Sequence, residues 1–163
     1  MTAVKIKNVN KIYEQGNVHA VQNLSLDIKD GEFVALLGPS GCGKTSTLRM
    51  IVGLEKISSG IIQFDDVIVN DLTPEQRNVA MAFESYALYP NLSIAENLSF
   101  PLEVRGIPLE ERTKEVNQIA EMLQISELLN QRPGQLSGGQ QQRVSLGRAL
   151  IREPAVFILD EVL

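Results

Sequence analysis

Eight consecutive residues, 38–45, have the types and the spacing of a phosphate-binding loop. Their sequence, Gly-Pro-Ser-Gly-Cys-Gly-Lys-Thr, fits the pattern G-x-x-x-x-G-K-S/T. Glycines let the backbone curl so that successive N–H groups point at phosphate oxygens, and the positive end of a following helix strengthens the attraction. In such a loop Lys44 reaches the β- and γ-phosphates, and the Thr45 hydroxyl binds Mg²⁺. The motif predicts a nucleoside triphosphate site; the alternative is a glycine-rich turn that only precedes a helix.

Two acidic residues at the end of an apolar run could complete this chemistry. Residues 155–159 are apolar and predict a buried strand, and Asp160 and Glu161 follow directly. A strand that ends in aspartate brings a carboxylate beside the Mg²⁺ held by Thr45. Glu161 is then placed to act as general base on the attacking water. The alternative is a pair of solvated acids at a strand end.

Short β-rich runs separated by turns predict the strands that must position these residues. The run 33–37 leads into the phosphate loop and is expected to be a central strand, followed by a helix over residues 45–52. Residues 79–83 are expected to form a buried parallel strand. The other predicted strands are residues 4–9, 21–28, 60–64 and 66–69.

After residue 84 the pattern becomes helical. Ser93 and Glu96 have the spacing of a capping box and predict the start of an amphipathic helix. Residues 110–123 carry apolar side chains at helical intervals with charges opposite. Ser137 and Gln140 again have capping spacing, which predicts a helix that runs to about residue 151. The sequence therefore predicts a mixed α/β core with a helical insertion.

Composition excludes several classes of protein. The 163 residues are 44% hydrophobic, which is ordinary for a globular protein, and the formal net charge is −5. An acidic chain is not expected to bind nucleic acid, which requires a basic face. No apolar run reaches the ~20 residues that cross a bilayer, and the N-terminus is not a secretory signal, so a cytosolic location is expected. A single cysteine excludes an internal disulfide.

A third motif narrows the class of nucleotide-binding protein to which the chain could belong. Residues 136–140, Leu-Ser-Gly-Gly-Gln, precede a predicted helix and the strand that ends in Asp160. Ser137 can cap the helix, while Gly138 and Gly139 permit close approach to its N-terminus. This motif resembles the signature sequence of ATP-binding cassette (ABC) ATPases, and the similarity covers essentially the whole chain. In that family the signature contacts the γ-phosphate of an ATP bound by the opposite subunit.

The resemblance implies the fold. It is an α/β P-loop NTPase with a mixed core sheet, an N-terminal antiparallel β part and an inserted helical subdomain. Residues 1–163 would form a single ABC-type ATPase domain that is incomplete at its C-terminus. Residues 1–84 and 152–163 would form the nucleotide-binding core, and residues 85–151 the helical subdomain with the signature. The C-terminal core strands would be missing, and we expect the exposed sheet edge to cause aggregation or self-pairing.

The resemblance also implies a function. Residues 85–90 and 96–98 are similar to the carbohydrate-importer branch, whose ATPase subunits bind ATP and Mg²⁺ and energise uptake. The expected partners are a second ATPase subunit (identical or a paralogue), integral-membrane permease subunits that residues 86–106 would contact and, indirectly, a solute-binding protein. The expected location is peripheral, on the cytoplasmic side of the membrane.

Site residues follow from the same resemblance. Tyr13 matches the aromatic residue that stacks on adenine. Lys44, Glu84 and Glu161 are the candidate catalytic residues, and Thr45, Glu84 and Asp160 the candidate metal ligands. The candidate nucleotide-binding residues are Tyr13, Gly38, Pro39, Ser40, Gly41, Cys42, Gly43, Lys44, Thr45, Ser46, Ser137, Gly138, Gly139 and Gln140.

Three features depart from the family pattern. Glu84 stands where the family has a glutamine, and we expect slower and poorly coupled hydrolysis because the amide donor is lost. Val162 replaces the proline that usually follows the catalytic glutamate. The histidine that contacts the γ-phosphate is absent, and His19 is expected to be a surface residue. Two alternatives therefore stay open: a nucleotide-binding fragment that does not hydrolyse ATP, and an ABC ATPase without a role in transport.

Overall fold

The computed structural model describes residues 2–14, 17–82 and 86–160. The chain divides into two compact units, Met1–Val79 and Ala80–Leu163. The predicted division into a core of residues 1–84 and 152–163 and a helical subdomain of residues 85–151 stays a prediction.

The first unit contains an antiparallel four-stranded sheet. Its strands pair in the order β2-β1-β3-β4, and β1 forms hydrogen bonds with both β2 and β3. Val4, Ile6 and Val9 of β1 are buried, and this central strand covers the strand predicted over residues 4–9. The strands are β1 (Val4–Tyr13), β2 (Val18–Ile28), β3 (Ser59–Phe64) and β4 (Val67–Ile68). The N-terminal antiparallel part is therefore confirmed, and His19 lies exposed on β2 as expected.

In the described residues of this unit, two helices accompany the sheet. Helix α1 (Lys44–Val52) buries Thr47, Met50, Ile51 and Val52, and it ends at Gly53. Helix α2 (Pro74–Arg77) begins with a capping box. Only 5% of Arg77 is exposed, and its guanidinium donates to the carbonyl oxygens of Met50 at 2.7 Å and Ile51 at 2.9 Å. A cation at this point satisfies carbonyl groups that the end of a helix leaves without partners.

The predicted strand over residues 33–37 is wrong. These residues have no regular secondary structure, and the strand ladders of the described residues do not include them. Phe33 is 77% exposed and Leu37 is 91% exposed. An apolar run becomes a strand only when neighbouring strands satisfy its backbone groups, and the sequence pattern carries no information about those neighbours. The run thus leads into the phosphate loop as mostly exposed chain without regular secondary structure.

Strand β5 (Val79–Ala82) pairs with β6 (Val156–Leu159) in a separate two-stranded sheet. Val79, Ala80, Ala82 and Ile158 are buried, in agreement with the predicted burial of both runs. Phe83, which was predicted to end β5, lies outside the described residues.

The described part of the second unit also contains three α-helices. They are α3 (Ile94–Val104), α4 (Leu109–Met122) and α5 (Gly138–Leu150), with short 3₁₀ turns at Ser126–Leu128 and Pro133–Gln135. Helices α3 and α5 begin with the capping boxes that the sequence predicted at Ser93 and Ser137. The apolar faces of the helices meet in one buried cluster: Ile94, Leu98, Leu102, Val116, Ala120, Ile125, Leu128, Leu136, Val144 and Ile151.

Gly147 allows the three helices to pack closely. A Cβ atom at this position would lie 2.9 Å from Leu98 Cδ2 on α3 and 3.0 Å from Leu123 Cδ1, which follows α4. These distances are shorter than ordinary van der Waals contact, so glycine sets the separation of α5 from its neighbours. Within the described ranges, the helices lack the combination of length and apolar character that a bilayer span requires.

Candidate functional site

The phosphate loop packs against β2, and its glycines are required by geometry. Gly41 and Gly43 have positive φ angles of 81° and 95°, a region that residues with a Cβ atom rarely occupy. A Cβ atom on Gly43 would lie 2.3 Å from the carbonyl oxygen of Ala20. A side chain here would push the loop away from the strand.

Helix α1 starts in the loop without a side-chain cap. Its N-cap residue is Gly43, no side chain accepts a cap hydrogen bond, and the first turn contains no acidic residue. In contrast, α2, α3 and α5 are capped by the side chains of Thr73, Ser93 and Ser137. A helix start without a side-chain cap and the positive end of the helix dipole favour an anion at this point. This arrangement fits a phosphate group.

Lys44 lies over the loop. Its Nζ atom donates to the carbonyl oxygens of Gly38 at 2.8 Å and Pro39 at 3.0 Å, and lies 3.9 Å from Cys42 Sγ. The ammonium group is therefore held next to the first residues of the loop. There it can exchange these carbonyl partners for phosphate oxygens. Together with the uncapped helix, this position fits the triphosphate of ATP.

Tyr13 and Ser46, which lie far apart in sequence, are brought together by the first unit. The Tyr13 hydroxyl lies 3.3 Å from Ser46 Oγ, so the ring is fixed close to the first turn of α1. The ammonium group of Lys11 lies 4.7 Å from the centre of the Tyr13 ring, and Lys11 also pairs with Glu55 at 2.7 Å. An aromatic ring at this place could stack on a base whose phosphates lie in the loop.

The signature residues form the first turn of α5. Ser137 Oγ accepts from the Gln140 N–H at 3.4 Å, and Gln140 Oε1 accepts from the Ser137 N–H at 2.9 Å. A Cβ atom at Gly139 would meet no atom within 4 Å, and one at Gly138 would lie 3.6 Å from the Tyr86 hydroxyl. Gly139 is thus open on the outside, and another molecule can approach its backbone.

The acidic candidates are only partly described. Asp160 follows β6 directly, and its N–H donates to the carbonyl oxygen of Ala82 at 3.1 Å, which places the residue at the end of the two-stranded sheet. Glu84, Glu161 and Val162 lie outside the described residues. The convergence of Thr45, Glu84 and Asp160 on one Mg²⁺, with Glu161 as general base, stays a prediction.

Sequence reasoning missed two side chains that hold the second unit together. Asn97 is fully buried, and its side chain bonds to the backbone of Tyr89, Leu92 and Ser93. The sequence feature that could have identified Asn97 is a polar residue on the apolar face of α3. Arg148 donates to the carbonyl oxygen of Tyr86 at 3.1 Å, and its guanidinium lies 5.2 Å from the centre of the Tyr89 ring. Burial lowers the pKa of Arg148, and Tyr89 partly offsets this effect. We find no sequence feature that predicts the long-range contacts of Arg148.

Cys42 gives a direct chemical test of the loop. This exposed thiol is the only cysteine of the chain. We expect its modification by a maleimide to block nucleotide binding, because the added group would fill the space between Cys42 and Lys44. Mg·ATP should slow labelling roughly tenfold at about ten times its Kd. Mass spectrometry would measure the rate, with Cys42→Ser as the unlabelled control. Labelling that is indifferent to Mg·ATP would contradict a phosphate site here.

Comparison with known proteins agrees with this geometry. A family model described as "ABC transporter" matches residues 21–163. The sn-glycerol-3-phosphate import ATP-binding protein UgpC of Bordetella avium is 48% identical over 100% of this chain and 45% of its own length. The trehalose/maltose import ATP-binding protein MalK of Thermococcus litoralis is 50% identical, again over 100% of the chain and 45% of the relative. The chain thus spans just under half the length of these curated relatives.

Solved structures give the same fold. One is described as the "Dimeric structure of a post-hydrolysis state of the ATP-binding cassette MJ0796 bound to ADP and Pi". It superposes with a TM-score of 0.86 at 37% identity and covers 98% of this chain and 74% of that one. The P-loop NTPase architecture expected from the sequence is confirmed. Because the family model matches most of the chain and the relatives match all of it, this protein belongs to the ABC transporter family.

Proposed function

We propose that the chain is the ATP-binding and ATP-hydrolysing subunit of an ABC importer for sugars or related solutes. The observation that carries the proposal is the uncapped start of α1 with Lys44 held over the loop, which is a site built for a phosphate chain. The relatives named as import ATP-binding proteins for sn-glycerol-3-phosphate and for trehalose or maltose support the solute class.

Each predicted residue has a role in this function. Residues 38–46 bind the phosphates through backbone N–H groups, and Lys44 stabilises negative charge on the β- and γ-oxygens. Tyr13 stacks on the base. Thr45 and Asp160 would hold Mg²⁺ together with Glu84, and that ion would supply neutralising charge to the phosphates. Glu161 takes a proton from the attacking water.

Pairing of two subunits would complete the site. Ser137, Gly138, Gly139 and Gln140 would contact the γ-phosphate of a nucleotide bound by the partner, because Gly139 is open to approach and residues 137–139 at the positive end of α5 are exposed. The dimeric form of the similar cassette bound to ADP and Pi supports this arrangement. Residues 86–106 would contact a membrane permease, with the subunit peripheral on the cytoplasmic face and the solute-binding protein reached only through the permease.

The decisive experiment separates binding from turnover in the full natural protein. We expect calorimetry to show Mg·ATP binding to the wild type and to Glu161→Gln. We expect phosphate release to fall by about 10²–10⁴-fold in Glu161→Gln, which is the usual loss when a general base is removed. Glu121→Gln, on the exposed surface of α4, is the matched control. Equal release from wild type and Glu161→Gln would contradict the assignment of the base.

A second candidate is a nucleotide-binding module that does not turn over, and Glu84 favours it. A carboxylate there adds negative charge next to phosphates and removes the amide that orients water. In the same assay, this candidate predicts Mg·ATP binding by the wild type without phosphate release. Release that appears only in Glu84→Gln would assign the lost turnover to this position.

A further inference from the structure

The ring of Tyr13 is held at its hydroxyl and on one of its faces. The hydroxyl lies 3.3 Å from Ser46 Oγ, in the first turn of α1. The ammonium group of Lys11 lies 4.7 Å from the centre of the ring, which is within the range of a cation–π interaction. Since Lys11 covers one face, a base could stack only on the opposite face of the ring.

Lys11 is itself fixed by the segment that follows α1. Its Nζ atom lies 2.7 Å from a carboxylate oxygen of Glu55 and donates to the carbonyl oxygen of Lys56 at 2.8 Å. An ammonium group has three N–H donors, and these two oxygens and the ring face can use all three. The side chain of Lys11 is only 11% exposed, so most of its surface is removed from water. The position of the ammonium group is therefore set by groups of the protein.

The backbone of β1 is irregular where it carries Lys11. The register of β1 against β2 shifts between Val9 and Lys11, and again between Lys11 and Ile12. Irregularities of this kind redirect side chains, and they are frequent next to functional sites. Lys11 and Tyr13 nevertheless meet, so the end of β1 holds the ammonium group and the ring together beside α1.

This arrangement should help the base and leave the phosphates unaffected. A ring that must be ordered when the nucleotide binds loses conformational entropy, and a ring that is already fixed avoids this cost. The contacts with Lys11 and Ser46 fix the ring of Tyr13 before a nucleotide arrives. Glu55 neutralises the charge of Lys11, so the pair has little net electrostatic effect on phosphates in the loop.

We propose that Lys11 is a positioning residue for the nucleotide base, which holds the ring of Tyr13 so that its opposite face is ready to stack. The proposal rests on the proposed function, because it assigns Lys11 to the base end of the same nucleotide site. Lys11 acts through the ring and does not touch the nucleotide, while Glu55 keeps Lys11 in place. The pair of Lys11 and Tyr13 thus favours a nucleoside triphosphate over an inorganic polyphosphate.

Calorimetry with two ligands on the full natural protein tests the role. We expect Lys11→Met to weaken Mg·ATP binding by roughly three- to tenfold, the effect of ordering one side chain on binding. The affinity for Mg·tripolyphosphate, which has no base, should stay within about twofold of the wild type. Lys7→Met, at an exposed position of the same strand, is the matched control and should change neither affinity. A parallel loss for both ligands would overturn the positioning role.

A double-mutant cycle tests whether Lys11 acts through the ring. In a Tyr13→Leu background there is no ring to position. Lys11→Met should then change the affinity for Mg·ATP by less than about twofold. An equal loss with and without the ring would overturn the proposal, and so would the absence of any loss when Tyr13 is present.

Fluorine NMR tests the contact without any nucleotide. The protein is labelled with fluorotyrosine, and the signal of Tyr13 is identified by its loss in Tyr13→Phe. We expect Lys11→Met to shift this signal and Lys7→Met to leave it in place. A signal that Lys11→Met does not move would overturn the contact. If the wild type binds no Mg·ATP, the proposed function fails, while this measurement still decides whether Lys11 holds the ring.

Discussion

Lys44→Ala is expected to weaken Mg·ATP binding by roughly 100-fold, the largest effect on affinity that we predict. The ammonium is the charged side chain that the loop itself holds, through the carbonyl oxygens of Gly38 and Pro39. A hydrogen bond to a charged group contributes about 1.5–3 kcal/mol, and each 1.4 kcal/mol is a factor of ten in affinity. Two such hydrogen bonds to phosphate oxygens, each at the lower end of this range, contribute about 3 kcal/mol, which accounts for the expected magnitude.

The measurement is a titration of Mg·ATP by calorimetry, at matched ionic strength because the interaction is electrostatic. Lys56→Ala removes an exposed lysine from the same unit and should leave the affinity within a factor of two or so of the wild type. Lys44→Arg should recover only part of the affinity, since a planar guanidinium does not fit the space of a compact ammonium. An unchanged affinity in Lys44→Ala would contradict the assignment of residues 38–45 as the phosphate site.

The parts that sequence could predict are those in which local residues decide local structure. Residues 38–45 encode their own loop because glycines at 41 and 43 permit positive φ angles that other residues avoid. The starts of α3 and α5 were predictable because Ser93 and Ser137 lie three residues before a side chain that completes the capping box. In these motifs, a few neighbouring residues determine the local backbone geometry.

The sequence failed to predict the features that depend on residues far apart in the chain. The run 33–37 looks like a buried strand, but a strand depends on partners elsewhere in the chain, and Phe33 and Leu37 are exposed here. The bond from Arg148 to Tyr86 joins residues 62 positions apart. In sequence, Arg148 appears only as a basic residue in the last turn of a helix, which predicts an interaction with the helix end and nothing beyond it.

Asn97 is the position where substitution should cost the most stability in the second unit. The side chain is 0% exposed. Its Oδ1 accepts from the Tyr89 N–H at 2.8 Å, and its Nδ2 donates to the carbonyl oxygens of Tyr89, Leu92 and Ser93 at 2.9–3.2 Å. The buried amide of Asn97 thus forms hydrogen bonds with backbone groups of residues 89–93 that would otherwise be satisfied within a strand or a helix. The conformation of this irregular segment depends on these hydrogen bonds.

Asn97→Ala is therefore expected to lower the free energy of unfolding by about 3 kcal/mol, since each buried polar group left without a partner costs about 1–3 kcal/mol. The melting temperature should fall by about 6–12 °C for a chain of this size. Asn117→Ala on the exposed face of α4 is the matched control, and it should raise stability slightly because alanine is the better helix former. Denaturant unfolding of both variants measures the difference. A loss below about 1 kcal/mol in Asn97→Ala would mean that water or another group replaces the amide, and that residues 89–93 hold their shape without it.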